Sequence, residues 1–325
     1  MHRRAADSNQ HARNYGIDVA RLASMLMVVT LHNLGHGGVL DWTLGSRNDI
    51  VYAALENYSI IAVYFFALIS GYLSCGKQSN YKRSLSLWGD AIFWSGTMAL
   101  IGYIHGDIEG GALLSSLFPV LSKQYWYLDS FLALQLISPI LSASASRLDT
   151  KKFVRLSFLC LTTCSLLGSL DGLGINNGYS VMWLIVLWLA GGSIMRLEKA
   201  IRGKFNTKML TALAIVLPLA TTCLQVLTFR FLGTDPTWWI RYVNPCVVIY
   251  SLVFFVLLLR VRVESAALKR TLPQLSALAF SVYLIDESSW IRGAVLYDRF
   301  RGVPDLPLNR LPFLGRKTKV RGMGG

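Results

Sequence analysis

The chain has 325 residues, of which 53% are hydrophobic and 15% charged, with a mean hydropathy of +0.45. A soluble domain carries about 25% charge, so this composition argues against one and for a membrane protein. The formal charge of +14 would suit nucleic acid, but the basic residues fall in short loops between apolar runs, and no RNA- or DNA-binding motif is present.

In chain order, residues 1–16 form a polar, basic segment that reads as a cytoplasmic N-terminus. Ile17 to Leu34 is the first membrane-length run, and its length and charge mark it as a retained span, not a cleaved signal. It carries Asp18, Arg21 and His32. Eleven residues separate Arg21 from His32, which returns a helix to within about 20° and puts both on one face, about 16 Å apart along the axis. Ionisable groups inside a span are costly and mark a polar cavity, although these three could also snorkel to the two interfaces. A Gly-rich connection follows, in which His36 could be a second base but reads more simply as polar surface.

Further runs predict eight more spans: Val51 to Leu73, Leu85 to Ile104, Trp126 to about Pro139, Phe153 to Leu170, Tyr179 to Met195, Met209 to Leu232 with a kink at Pro218, Val243 to Leu259, and Leu272 to about Ile291. The fourth is expected to stop at its proline. His105 to Gln124 reads as a long loop. Before the tail, only Arg47, Lys123, Arg230 and Arg241 lie in loops on the side opposite the N-terminus, which predicts a cytoplasmic N-terminus in a multi-pass cell-membrane protein. The fold expected is an all-α, polytopic transmembrane bundle of about nine spans. Residues 17–291 form one domain, and residues 292–325 a basic tail.

Five cysteines, Cys75, Cys160, Cys164, Cys223 and Cys246, lie in or beside apolar spans without zinc-type spacing and read as packing residues. No metal site is expected. Ser70-Gly71 lacks the GxSxG context of a nucleophile and reads as a close helix contact. Trp126 and Tyr127 could be interfacial anchors or a stacking surface for a sugar ring, Arg241 and Tyr242 face the same side, and Asp129 is a further buried-acid candidate.

Four segments resemble the acyltransferase-3 family of integral membrane acyltransferases, which O-acylate surface polysaccharides and related carbohydrates. The first is Asp18, Arg21 and His32, with ten residues between Arg and His. The second is FFALISGYL, Phe65 to Leu73. The third is WYLDSFLALQLISPIL, Trp126 to Leu141, and the fourth LAFSVYLIDESSWIR, Leu278 to Arg292. The resemblance implies transfer of an acyl group, acetyl being the expectation, from acyl-CoA as co-substrate to a carbohydrate hydroxyl, with no tightly bound cofactor. It implies His32 as the catalytic residue. Base chemistry suits an imidazole, and a covalent acyl-imidazole is the alternative. Arg21 would hold the donor and Asp18 orient Arg21 or a neighbouring group, with Lys82 and Arg83 available for CoA phosphates or serving only as positive-inside charge.

Two departures stand out. The late segment usually has His where this chain has Asp286, and an Asp can accept a hydrogen bond but cannot supply a cationic donor. The family usually has ten spans, whereas here a tail with six Arg and two Lys follows the ninth. A truncated or frameshifted, inactive copy is therefore one alternative. A glycan or lipid-intermediate exporter is another, and a polysaccharide polymerase a third, weakened by the absence of arginine in the loop from His105 to Gln124.

Overall fold

The computed structural model describes residues 13–306 except 43 and 78–80, and the side chains of Trp42 and Arg83 lie outside that description. Among the described residues all regular structure is helical. The α-helices are α1 (Tyr15–Gly35), α2 (Asp49–Ser59), α3 (Ala62–Ser74), α4 (Lys82–His105), α5 (Gly110–Ser116), α6 (Trp126–Ser146), α7 (Thr150–Ser169), α8 (Val181–Lys204), α9 (Thr207–Leu227), α10 (Pro245–Leu258) and α11 (Ala266–Asp286). Six segments are long and apolar enough to cross a bilayer: Tyr15–Gly35, Asp49–Ser74, Trp126–Ser146, Val181–Lys204, Thr207–Leu232 and Pro236–Leu258. The other three expected spans are present as α4, α7 and α11 but fall short of that apolarity.

Local chemistry explains where the helices differ from the sequence expectation. α6 does not stop at Pro139 but runs on to Ser146. Proline frees the carbonyl of residue 135, and the Ser138 hydroxyl donates to that carbonyl at 2.9 Å, so the lost backbone bond is replaced. α9 likewise passes through Pro218. The second run breaks into α2 and α3 at Ile60 and Ile61, both buried, so the interruption is enclosed by protein. The loop from His105 to Gln124 contains α5. Asp149 ends the connection after α6 by accepting the Lys152 N–H at 2.9 Å as the N-cap of α7, and that bond holds its carboxyl below the usual range.

The core is built around α3, which packs against α1 and α8. Tyr64, Phe65 and Leu68 of α3 and Trp183 and Trp188 of α8 are fully buried. Glycines let the two backbones approach. A Cβ at Gly71 would run into the Trp188 carbonyl, and one at Gly191 into the Leu68 carbonyl. Ser70 serves the same packing, since its hydroxyl accepts from Gln135 Nε2 at 2.9 Å. The cysteines are unpaired, with Cys75 and Cys164 buried.

α1 and α11 run parallel and are tied at two levels. Ser276 Oγ donates to Asp18 Oδ1 at 2.6 Å near one end, and His32 Nδ1 lies 2.7 Å from Asp286 Oδ2 near the other. After α11 a π-helical turn, Ile291–Leu296, leads the chain back across the C-terminal end of α1. There the Asp298 N–H donates to the His36 carbonyl at 3.1 Å and the Phe300 N–H to that of Gly37 at 2.8 Å. Asn48 Nδ2 donates to the carbonyls of Pro304 and Leu306. The beginning of the tail thus packs at the His32 end of the bundle, and residues 307–325 lie outside the described residues.

Candidate functional site

α1 continues to Gly35, one residue beyond the expected end, and this places His32 and His36 on adjacent turns of one face. α11 ends at Asp286, with Glu287 as its C-cap, so both carboxyls reach those imidazoles from the end of a rigid helix. His32 Nδ1 is 2.7 Å from Asp286 Oδ2 and 3.3 Å from Glu287 Oε2. His36 Nε2 is 3.0 Å from the same Glu287 oxygen, and the two imidazole centroids are 5.2 Å apart. Arg292 closes the far side of Glu287 at 3.2 Å. His32, His36 and Glu287 each offer a ligand atom within 4.8 Å of the others, a spacing a metal ion could bridge.

These groups line a cavity of about 380 Å³. Its other walls come from Glu56 of α2, Phe66 of α3, Trp126 and Tyr127 at the start of α6, Tyr179, Tyr242, and Phe280 and Tyr283 of α11. The aromatic wall is tight, with Trp126 centred 4.5 Å from Tyr179 and 5.9 Å from Tyr242. Tyr64 supports it by donating its hydroxyl to the Tyr242 carbonyl. Among the described residues no lysine or arginine lines the cavity.

The sequence-predicted residues divide into two places. His32, Trp126 and Tyr127 line the cavity, and Asp286 touches His32 there. Asp18 and Arg21 belong to a second cluster toward the start of α1. Asp18, 1% exposed, accepts from Arg13 at 2.8 Å with each oxygen and lies 3.6 Å from Arg21. Arg21 does not line the cavity. Lys82 opens α4 as an exposed residue, and the Arg83 side chain is outside the described residues. Arg241 pairs with Asp171 at 2.9 Å, while its neighbour Tyr242 faces the cavity. Asp129 Oδ1 is buried without a partner.

Removing Asp18 would leave Arg13, Arg21 and Ser276 without their shared acceptor and loosen α1 from α11. Asp18→Ala is expected to cost about 3 kcal/mol. The midpoint of thermal unfolding in detergent measures this, and an unchanged midpoint would contradict the tie.

Two carboxyls of the site, Glu287 and Glu56, escaped the sequence reading, and His36 was placed elsewhere. His36 was expected on the surface, but the helix extends far enough to carry it onto the His32 face. Glu287 stands inside the late segment next to Asp286. Glu56 interrupts the second apolar run, the same signal that singled out Asp18, Arg21 and His32 in the first.

A family model described as an acyltransferase domain matches residues 14–287, from the N-cap of α1 to Glu287. No curated protein and no solved structure matches the chain.

Proposed function

The chain belongs to the acyltransferase-3 family, and from that premise we propose that it moves an acyl group, in the first instance acetyl, from acyl-CoA to a carbohydrate hydroxyl at the cell membrane. One observation carries the assignment of roles: His32 Nδ1 sits 2.7 Å from the Asp286 carboxylate on the wall of an aromatic cavity. Asp286 accepts the Nδ1–H, which fixes the tautomer and leaves Nε2 as the basic nitrogen.

A hydroxyl bound in the cavity gives its proton to His32 Nε2 as its oxygen attacks the thioester carbonyl. The tetrahedral intermediate collapses, the C–S bond breaks, and the imidazolium returns the proton to the departing thiolate. Asp286 stabilises the imidazolium in between. The family's usual His at this position is thus replaced by a carboxylate that orients the base. Since no cation among the described residues lines the cavity, the donor phosphates are assigned to the end of the bundle that carries Arg21, Lys82 and Arg83, which faces the cytoplasm if the N-terminus does. Transfer of label from acetyl-CoA to membrane glycan in vesicles tests the proposal. Label in the glycan is expected, and a folded protein that transfers none under saturating acetyl-CoA would count against it.

Asp286→Asn separates this role from mere packing. The amide can turn its NH₂ toward Nδ1 and so favour the tautomer with the proton on Nε2, which cannot act as a base. A fall in kcat on the order of 10² is expected with little change in KM. A kcat within twofold of wild type would remove Asp286 from the mechanism.

A second reading is supported by the broken span. A discontinuous segment at Ile60 and Ile61 beside a cavity is a feature of transporters. An exporter would carry glycan across vesicles without acetyl-CoA and independently of His32.

A further inference from the structure

The base mechanism uses neither of the two carboxyls that line the cavity; Glu287 is paired with His36 and Arg292, whereas Glu56 faces no charged partner among the described residues. Glu56 is 7% exposed and lines the cavity from α2, whereas the base and its carboxylate come from α1 and α11. Its Oε2 accepts from Gln225 Nε2 at 3.1 Å, and Gln225 Oε1 accepts from Asn57 Nδ2 at 2.7 Å. This relay has a fixed direction. Asn57 Nδ2 also donates to the Ala53 carbonyl at 2.9 Å, so turning the Asn57 amide over would set two oxygens against each other. Gln225 must therefore present its oxygen to Asn57 and its NH₂ to Glu56. Among the described residues no other side chain donates to Glu56, and no cation lines the cavity. An ionised Glu56 thus keeps an oxygen that can only accept.

We propose that Glu56 accepts a hydrogen bond from an acceptor hydroxyl other than the one acylated, and so selects a polyhydroxylated ring stacked on the wall formed by Trp126, Tyr179 and Tyr242. The inference rests on the acyl acceptor occupying this cavity. A sugar ring suits both features, because its C–H face packs on aromatic rings while its edge presents hydroxyl donors. A site built to pair with a hydroxyl rejects analogues that lack it far more strongly than an apolar pocket does. Glu56 is a positioning and specificity residue, distinct from the base.

The direction of the relay supplies the test. In Glu56→Gln the Gln225 NH₂ holds the only remaining side-chain oxygen, and the new amide turns its NH₂ to the cavity. An acceptor becomes a donor with the scaffold unchanged. In the double variant Glu56→Gln/Gln225→Glu, residue 225 accepts from Asn57 and from the new amide, which returns an oxygen to the cavity. Binding of methyl glycosides of glucose, galactose, mannose and N-acetylglucosamine would be measured on the full chain in detergent, without acetyl-CoA. Transfer kinetics would follow with the glycoside that binds best. At least one glycoside should bind wild type, bind Glu56→Gln at least tenfold more weakly, and recover to within about threefold in the double variant. The KM for acetyl-CoA should not move.

Equal binding by wild type and Glu56→Gln, no recovery in the double variant, no glycoside binding to wild type, or a rise confined to the acetyl-CoA KM would each overturn the proposal. If either variant fails to fold, monodeoxy glycosides on wild type decide. Loss of one hydroxyl other than the acetylated one must raise KM at least tenfold, and a flat series overturns the proposal. Because glycoside binding is read without the donor, wild type that binds but never transfers label would sink the acyltransferase reading and leave this one standing.

Discussion

Replacing His32 by alanine is expected to lower acyl transfer by about 10² to 10⁴-fold, the range that a positioned general base contributes. The loss should appear in kcat, because His32 supplies one edge of a cavity whose walls otherwise remain. Folding should be retained, since the side chain is partly exposed and its ring contacts Tyr283 and His36 only at centroid distances of 6.3 and 5.2 Å. Label transfer from acetyl-CoA in vesicles, with membrane content measured by immunoblot, checks the outcome. A His32→Ala protein that is present at wild-type level and still transfers label at the wild-type rate would remove the base assignment. The effect should exceed that of Asp286→Asn, because the former deletes the base and the latter only misorients it.

The second large effect is structural. Gly71→Ala should cost about 3 kcal/mol or more, at the upper end of overpacking penalties, because the obstacle is the Trp188 backbone and no rotamer change relieves it. α3 would have to move off α8, parting Tyr64 and Phe65 of α3 from Trp188 of α8. Low yield of folded protein and a lowered thermal midpoint are expected. Gly89→Ala in α4 is the matched control. Open space surrounds a Cβ there, so alanine should be neutral or stabilise the helix by about 1 kcal/mol. Equal behaviour of the two variants would show that the α3–α8 contact is looser than described.

Much of this was legible in the sequence. Apolar length gave the helices, and Ser70-Gly71 gave the close contact between them. The charges in the first run gave His32 its place on a polar wall. What the sequence hid was tertiary. Proline at position 139 reads as a stop until the Ser138 hydroxyl is seen to replace the missing bond. Arg21 and His32 share a helix face, yet burial of Asp18 draws Arg21 into a separate cluster, so a common face did not mean a common cavity. Asp286 read as a lost cationic donor, and only its approach to His32 shows the carboxylate as a partner for that imidazole. Glu287 and Glu56 are brought to the site from 251 residues after His36 and from a helix that breaks four residues later.

The His32–Asp286 pair also bears on biosynthesis. Its two halves are 254 residues apart, one in the first helix and the other at the end of α11. A ribosome releases the base almost at once and its partner only after nearly the whole bundle has been inserted. Until then His32 lacks the carboxylate that lies 2.7 Å from its Nδ1 in the finished bundle. The pair forms only when α1 and α11 stand in register, so it assembles late in the insertion of the bundle.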